Sequence, residues 1–218
     1  MDIRRHPGWR SAWAAGGFRA TLLSAAAAGV ALVLVLPRFF EWVGGRPGIR
    51  PADPVLAHWG PMDVSVPTFA VLYGTILLVA VSVAGRPWRL LRGLWAYILL
   101  MVMRMAAMAL VALEPPGDII PLADPVTLHF YPGAVPFLKD LFFSGHTATL
   151  VLTALLAEKG PVRWLAAAGA AVVGVLVLAQ HVHWTVDVLA AVPAAWLAWV
   201  LAGRSLRRLG PVPSPPGA

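Results

Sequence analysis

The sequence predicts an all-α integral membrane protein with six transmembrane helices in one bundle. The observations behind this prediction are the composition, the spacing of the apolar segments and the distribution of basic residues. Of the 218 residues, 59% are hydrophobic and only 12% are charged, and the mean hydropathy is +0.76. Soluble domains carry roughly 25% charged residues. This chain therefore has too few charges to cover a soluble globule, and a membrane protein is indicated.

Five apolar stretches account for the six spans, because a spanning helix needs about 20 mostly apolar residues. The 40 residues from 164 to 203 contain a single charge, Asp187, and fit two spans joined by a polar turn near Gln180. The first apolar segment has no small-residue cleavage site after it, so it is predicted to be a retained helix. The predicted spans are 20–37, 64–85, 93–113, 141–157 and the two within 164–203.

Basic residues occur in alternate connections, which orients the chain by the positive-inside rule. They cluster in the tail 1–19, in the second-to-third and fourth-to-fifth connections, and in the tail 204–218. Acidic residues gather in the loops 38–63 and 114–140. Both tails are therefore predicted to be cytoplasmic, flanking a transmembrane domain at 20–203. The Arg-rich, Ala- and Gly-rich composition indicates a bacterial protein, and hence a plasma membrane.

Composition and charge also exclude several classes of protein. The chain has no cysteine, which excludes disulfides and thiolate metal ligands. The net charge of +7 lies in short juxtamembrane clusters, so anionic lipid headgroups explain it better than a nucleic acid does. The loop 114–140 contains six prolines and is long for a connection, so it is either disordered or a functional cover. The oligomeric state stays open.

Ionisable residues lie at membrane depth near one face, where such residues usually mark function. Arg104 lies in the third span, and His146 lies about one turn into the fourth. His183 and Asp187 are four residues apart at the outer start of the sixth span. On a helix this spacing places both on one face. The loop charges assign all four residues to the extracytoplasmic side.

These residue types are suited to phosphoryl transfer. A histidine can attack phosphorus and carry the phosphoryl group covalently, and Asp187 can hold the other ring nitrogen of His183. His146 can protonate the leaving alcohol, and Arg104 can bind the non-bridging oxygens. Ser144 and Gly145, near a helix N-terminus, can add donors for an anion.

Two segments carry a family resemblance. Residues 140–147 (DLFFSGHT) and 181–187 (HVHWTVD) resemble two signature motifs of the sphingomyelin synthase-related branch of the type 2 phosphatidic acid phosphatase (PAP2) superfamily. Segments 104–116 and 53–65 are similar to its two earlier motifs, so the resemblance extends over about residues 50–203. It implies six spans, a PAP2-like core and an extracytoplasmic site without metal or cofactor. It also implies His183 as nucleophile, Asp187 as its orienting partner and His146 as general acid.

Departures from the superfamily pattern bear on the substrate. Its ordinary phosphatases carry a Lys–Arg pair and an Arg six residues before the last histidine, where this chain has Val177. A single cation, Arg104, suits a phosphodiester monoanion better than a nearly dianionic phosphomonoester. The sequence thus predicts a phospholipid headgroup phosphotransferase or a phospholipase C-like hydrolase. Its partners would be a membrane lipid and either an acceptor alcohol or water. Trp184 replaces a frequent tyrosine of that branch, so a hydroxyl is lost.

Alternative functions remain at this stage. A phosphatase of phosphatidic acid or isoprenoid pyrophosphate would use the same residues. A transporter or proton relay is less favoured, because the polar groups do not continue to the cytoplasmic side. A zinc site of His146, His181, His183 and Asp187 is weakened because His181, two residues from His183, should point away on a helix. Two residues also have purely structural interpretations. Arg104 could pair with an acid for packing, and Asp187 could be a helix cap.

The predicted topology can be tested with reporters. A reporter inserted at 120–135 should be extracytoplasmic, and one fused to the C-terminus should be cytoplasmic, because the basic connections stay inside. The measurement is the activity of a compartment-specific reporter in intact cells. Finding both reporters on the same side would contradict the orientation.

Overall fold

The computed structural model describes residues 8–125 and 137–209. The first seven residues, His129 with the rest of 126–136, and the tail from 210 lie outside the described residues. Within the described ranges a short 3₁₀ turn spans Leu56–His58. The α-helices are α1 (Trp9–Ala14), α2 (Gly16–Gly44), α3 (Ser65–Val83), α4 (Pro87–Leu110), α5 (Gly145–Leu156), α6 (Pro161–Ala179) and α7 (Thr185–Leu209).

Five of these helices are long and apolar enough to cross a membrane, namely α2, α3, α4, α6 and α7. An all-helical membrane protein is thereby supported, and the 164–203 stretch forms two helices as expected. Helix α5 has only 12 residues and spans about 18 Å, well short of a hydrocarbon core about 30 Å thick. Six complete spans are therefore not confirmed. The predicted fourth span is a short helix preceded by irregular chain.

Helix α5 lies at the centre of the bundle and packs against α3, α4, α6 and α7. Its last carbonyls would lack partners in an apolar interior, which is costly. Arg89 meets this need by donating from Nη2 to the carbonyls of Leu155 at 3.2 Å and Ala157 at 2.7 Å. Its Nε also donates to the carbonyl of Leu156. Arg89, predicted in a connection, thus lies in the first turn of α4 and caps α5.

A stripe of alanines on α7 brings this helix close to its neighbours. Its members are fully buried and recur at intervals of three or four residues, which places them on one helix face. In a membrane, small residues let helix backbones approach closely enough for strong van der Waals packing. The stripe contacts buried residues of α4 and α5, including Leu100 and Ala148. It comprises Ala191, Ala195, Ala198 and Ala202.

Helix α2 is the peripheral element of the bundle. It packs mainly on α4, and its other faces expose large apolar side chains such as Leu23 and Val33, which are 70% and 69% exposed. That exposure suits contact with lipid. The helix continues through Pro37, where the first predicted span ended, and reaches Gly44. The connection expected to begin at residue 38 therefore begins at residue 45, about two helical turns later.

The connections 45–64 and 111–124 meet over the same end of the bundle. An isolated bridge joins them, in which the amide of Ile49 donates to Ala112 at 3.0 Å and the amide of Glu114 donates to Ile49 at 2.9 Å. A Cβ on Gly48 would lie 2.7 Å from the backbone carbon of Leu113. Only glycine permits this approach, so the two loops cross in direct backbone contact.

Replacing Arg89 by methionine should destabilise the bundle by about 2–3 kcal/mol, because the end of α5 loses its donors. The measurement is the thermal unfolding temperature of the purified protein in detergent. Arg207→Met, which removes an exposed arginine, is the matched control and should leave the temperature nearly unchanged. Equal shifts for both variants would show that the loss is one of charge and not of capping.

Candidate active site

The turn between α6 and α7 anchors both loops that cover this end of the bundle. Gln180 is fully buried; its Oε1 accepts from the amide of Val64 at 3.1 Å, and its Nε2 donates to Ser65 Oγ at 2.9 Å. Nε2 also donates to the carbonyl of Pro121 at 3.2 Å. Sequence reasoning used Gln180 only to mark a turn. The structure makes it the side chain that holds segments 62–65 and 119–123 beside the site.

His183 and Asp187 are in contact, although not for the expected reason. Helix α7 begins at Thr185, so His183 lies before the helix and not on its face. Asp187 lies in the first turn and reaches back, with its Oδ2 3.4 Å from His183 Nδ1 and 3.0 Å from the amide nitrogen of Trp184. This is the acidic half of a capping box. The same carboxylate oxygen of Asp187 therefore contacts the imidazole of His183 and caps the start of α7.

Asp53 fixes the start of α7 from the first loop. Its carboxylate accepts from the amide of Thr185 at 2.7 Å and from the hydroxyl of Thr185 at 3.0 Å. Burial raises the pKa of Asp53, but the hydrogen bonds from Thr185, Leu56 and Val55 outweigh it and lower the pKa overall. The stabilisation is therefore present above the unfolded pKa and is lost as the pH falls through the folded one. The sequence had placed Asp53 among the loop acids and at the start of the 53–65 segment, without a partner.

His146 lies in the first turn of α5, facing His183. The centroids of the two rings are 6.1 Å apart, and Phe69 packs edge-on against His146 at 5.9 Å. The amide of Ser144 donates to the backbone carbonyl of Asp187 at 3.0 Å, which ties the start of α5 to the start of α7. Within the described residues, His146 Nδ1 is buried without a hydrogen-bond partner. A buried nitrogen without a partner is costly unless it has a role, so this ring is a candidate for binding or catalysis.

Ser144 serves mainly to begin α5. It is fully buried, and its hydroxyl oxygen accepts from the amide of Thr147 at 3.4 Å as the N-cap. The hydroxyl also lies 3.2 Å from Thr147 Oγ1. Ser144 thus holds the turn, whereas Gly145 lines the cavity described below. The predicted contribution of Ser144 to anion binding stays a prediction.

Arg104 reaches the start of α5 from α4. It is 5% exposed, and its Nη2 pairs with Asp140 Oδ1. A Cβ on Gly145 would lie 1.7 Å from Arg104 Nη1, so the guanidinium occupies the space that any other residue would fill. The structural interpretation of Arg104 as one half of an ion pair is therefore correct, and the pair also lies beside His146. The sequence had placed Asp140 among the outward-facing acids and at the start of the 140–147 motif, without a partner or a role.

A cavity of about 350 Å³ is bordered by Arg104, Asp140, Gly145 and His146. Among the described residues its wall includes His146 but not His183, which is 3% exposed. The wall is mostly apolar, with Arg104 as its cation and Asp140 as its acid. The lining residues are Leu36, Phe40, Leu72, Tyr73, Ile76, Tyr97, Met101, Arg104, Met105, Met108, Asp140, Gly145, His146 and Thr149.

His181 has a carboxylate partner of its own in the second loop. It lies in the turn before α7, with a backbone φ of 56°, and not on a helix as expected. Its Nδ1 is 2.9 Å from Asp118 Oδ1, and this hydrogen bond lowers the pKa of Asp118. Within the described residues, no three His, Asp or Glu side chains cluster with the spacing of a metal site. The four-residue zinc arrangement considered from sequence is not formed.

Residues 139–203 match the family model of the PAP2 superfamily C-terminal domain. This match supports the PAP2 superfamily. It covers α5, α6 and most of α7, and it therefore includes both histidines and Asp187. PAP2 superfamily proteins are generally phosphatases, so the match favours phosphatase or phosphotransferase activity on lipids. No curated protein and no solved structure matches the chain.

Replacing Gly145 by alanine should lower turnover sharply while the protein still folds. The added Cβ would displace the guanidinium of Arg104, and misplacing a positioning group by about 1 Å can cost roughly 100-fold in rate. The measurement is turnover at matched folded protein. The control is Gly74→Ala in α3, where a Cβ meets nothing within 4 Å. A Gly145→Ala enzyme with normal turnover would contradict a role for Arg104 in catalysis.

Proposed function

We propose that the chain is a phospholipid headgroup phosphotransferase or phospholipase C-like hydrolase that works through a phosphohistidine. The observation that carries this proposal is the pairing of His183 with Asp187, with His146 at 6.1 Å between ring centroids. Two histidines at this separation can contact one phosphate, and only one of them has a carboxylate partner. That asymmetry gives the two rings different roles.

In the first step the lone pair of His183 Nε2 attacks phosphorus. Asp187 holds Nδ1, which keeps the proton on that nitrogen and leaves Nε2 free. The bond between phosphorus and the lipid alcohol oxygen breaks, and His146 donates its proton to the departing oxygen. Diacylglycerol or a related lipid alcohol leaves, and the phosphorylated headgroup stays on His183.

The second step reverses the first with a new alcohol or with water. His146, now neutral, takes the proton of the incoming hydroxyl as its oxygen attacks phosphorus. The phosphorus–nitrogen bond breaks and His183 is restored. The choice between transfer and hydrolysis then depends only on which hydroxyl reaches the intermediate. Because His183 is 3% exposed, substrate entry requires a local opening beside His146.

The charge of the cavity favours a phosphodiester. Arg104 is the cation that its wall contributes within the described residues, and the guanidinium can bind a phosphate through two parallel hydrogen bonds. A diester carries one negative charge and a monoester nearly two, so a wall whose arginine is already paired with Asp140 accommodates the smaller charge of the diester better. This supports the likeness to the sphingomyelin synthase-related branch, with headgroup transfer in place of monoester removal.

We also propose that the site faces outward. All the groups described lie at the end of the bundle covered by the acidic loops, while Arg86, Arg89 and Arg92 lie at the other end of α4. By the positive-inside rule the arginine end is cytoplasmic. If α5 is counted as an incomplete span, the chain has six membrane segments. Both tails then lie on the cytoplasmic side of a bacterial plasma membrane.

The two histidine roles predict different responses to the leaving group. His183→Ala should lower turnover by about 1,000-fold or more on every substrate, because the nucleophile is lost. His146→Ala should lower turnover of a natural phospholipid by about 100-fold but that of a nitrophenyl phosphodiester far less, because nitrophenolate needs little protonation. The measurement is turnover of each variant on both substrates at matched folded protein.

His181→Ala is the matched control for these variants, since it removes a neighbouring buried histidine that has its own carboxylate partner. It should keep the same ratio between the two substrates as the unaltered protein. An equal loss for His146→Ala on both substrates would contradict the leaving-group role. Activity that EDTA abolishes and zinc restores would contradict the phosphohistidine mechanism itself.

Product analysis should separate the proposed activity from the phosphatase alternative. The purified protein is incubated with a panel of labelled phospholipids, with and without an acceptor alcohol. The phosphorus should appear on the headgroup, either free or joined to the acceptor, because the bond to the lipid alcohol is the one that breaks. Inorganic phosphate from phosphatidic acid or an isoprenoid pyrophosphate, with no product from diesters, would establish the phosphatase instead.

A further inference from the structure

Asp140 is the acidic member of the cavity wall; it opens the 140–147 motif, but the mechanism gives it no role. Its Oδ1 pairs with Arg104 Nη2, and the two side chains share the cavity wall with His146. The exposure of the pair is unequal, since the side chain of Arg104 is 6% exposed and that of Asp140 is 37% exposed. The carboxylate is therefore the more accessible member of the pair, and a phosphate that binds Arg104 from the cavity comes close to it.

The carboxylate affects a bound phosphate in proportion to the charge of that phosphate. A phosphate held by Arg104 lies within several ångströms of Asp140, in a cavity whose wall is mostly apolar and weakly screening. A diester monoanion is repelled by one unit of charge, whereas a monoester dianion is repelled by nearly two. The guanidinium attracts both ligands, but its net effect is reduced because it is already paired.

We propose that Asp140 is a specificity-determining residue that selects phosphodiesters against phosphomonoesters by charge repulsion. This inference rests on the proposed function for the identity of the cavity as the phosphate site. The selection is then due to a particular carboxylate of this chain, and not only to the absence of the Lys–Arg pair and the arginine that ordinary phosphatases of the superfamily carry. Removing that carboxylate should therefore relax the selection without disturbing the two histidines.

The test compares two lipids that differ by one methyl group, phosphatidic acid and phosphatidylmethanol. They share the same diacylglycerol, and at pH 8 the first is largely a dianion and the second a monoanion. Equilibrium dissociation constants are measured in detergent on protein carrying His183→Ala, so that neither lipid is consumed and the result does not depend on turnover. The quantity of interest is the ratio of the two constants, which is independent of the folded fraction.

Asp140→Asn should shift this ratio toward phosphatidic acid by about tenfold, as expected for one unit charge at short range in a partly screened site. Asp140→Glu keeps the charge and should retain the original preference. Glu158→Gln is the matched control, because Glu158 pairs with Arg86 at the other end of the bundle. It removes the same charge from a comparable ion pair and should leave the ratio unchanged.

The outcomes separate this inference from the proposed function. A ratio that is the same for the parent protein, Asp140→Asn and Asp140→Glu overturns the inference, even if the enzyme proves to be a diester-specific transferase. A shifted ratio in an enzyme that releases only inorganic phosphate supports the inference and overturns the proposed function. An equal shift with Glu158→Gln would show that the ratio follows the net charge of the protein, and this would overturn the inference. Failure of both lipids to bind would overturn both proposals.

Discussion

The arrangement of the site depends on Asp187 more than on any other residue. Its carboxylate holds Nδ1 of His183 and caps the amide of Trp184, while its backbone carbonyl accepts from the amide of Ser144. One residue therefore orients the proposed nucleophile, begins α7 and fixes the turn that carries His146. Its other carboxylate oxygen is buried without a partner among the described residues. An under-satisfied buried carboxylate is costly, so this residue contributes less to stability than a fully paired one would.

The apolar surroundings explain how the remaining charges are arranged. A cation in a weakly polar interior needs its donors satisfied, because desolvation removes its water. Arg104 meets a carboxylate, and Arg89 meets the last carbonyls of α5. Arg92 donates to the carbonyl of Trp199 at 2.9 Å and lies 3.8 Å over its ring. Arginine suits these positions, since its planar fork serves several acceptors at once.

The central position of α5 follows from these contacts. A 12-residue helix cannot span a bilayer by itself, and its ends need partners from neighbouring helices. Ser144 caps the first turn locally, whereas the last turn is capped by Arg89, which is 66 to 68 positions away in the chain from the carbonyls it meets. This shortness also places His146 at the level of the loops, where Gln180 and Asp53 hold the surrounding backbone.

The sequence by itself determined the membrane class and the long apolar helices, and it supplied the candidate residues of the site, because hydropathy and residue type are local properties. His146, His183, Asp187 and Arg104 follow from charges placed at membrane depth. The sequence also placed them at one end of the bundle, since loop charges alternate with the spans. Even the contact between His183 and Asp187 follows from their spacing, although the helix it assumed begins two residues later.

Only the tertiary structure decided which partner each charged group meets. Three such contacts join residues 36 to 132 positions apart in the chain. They are the ion pair of Arg104 with Asp140, the hydrogen bonds from Thr185 to Asp53, and the capping of α5 by Arg89. No local pattern encodes such distances, because they depend on how helices cross and how loops return over their ends. For the same reason the sequence did not predict that α5 is short. Apolar composition shows that a segment is buried, but not whether its backbone is helical along its whole length.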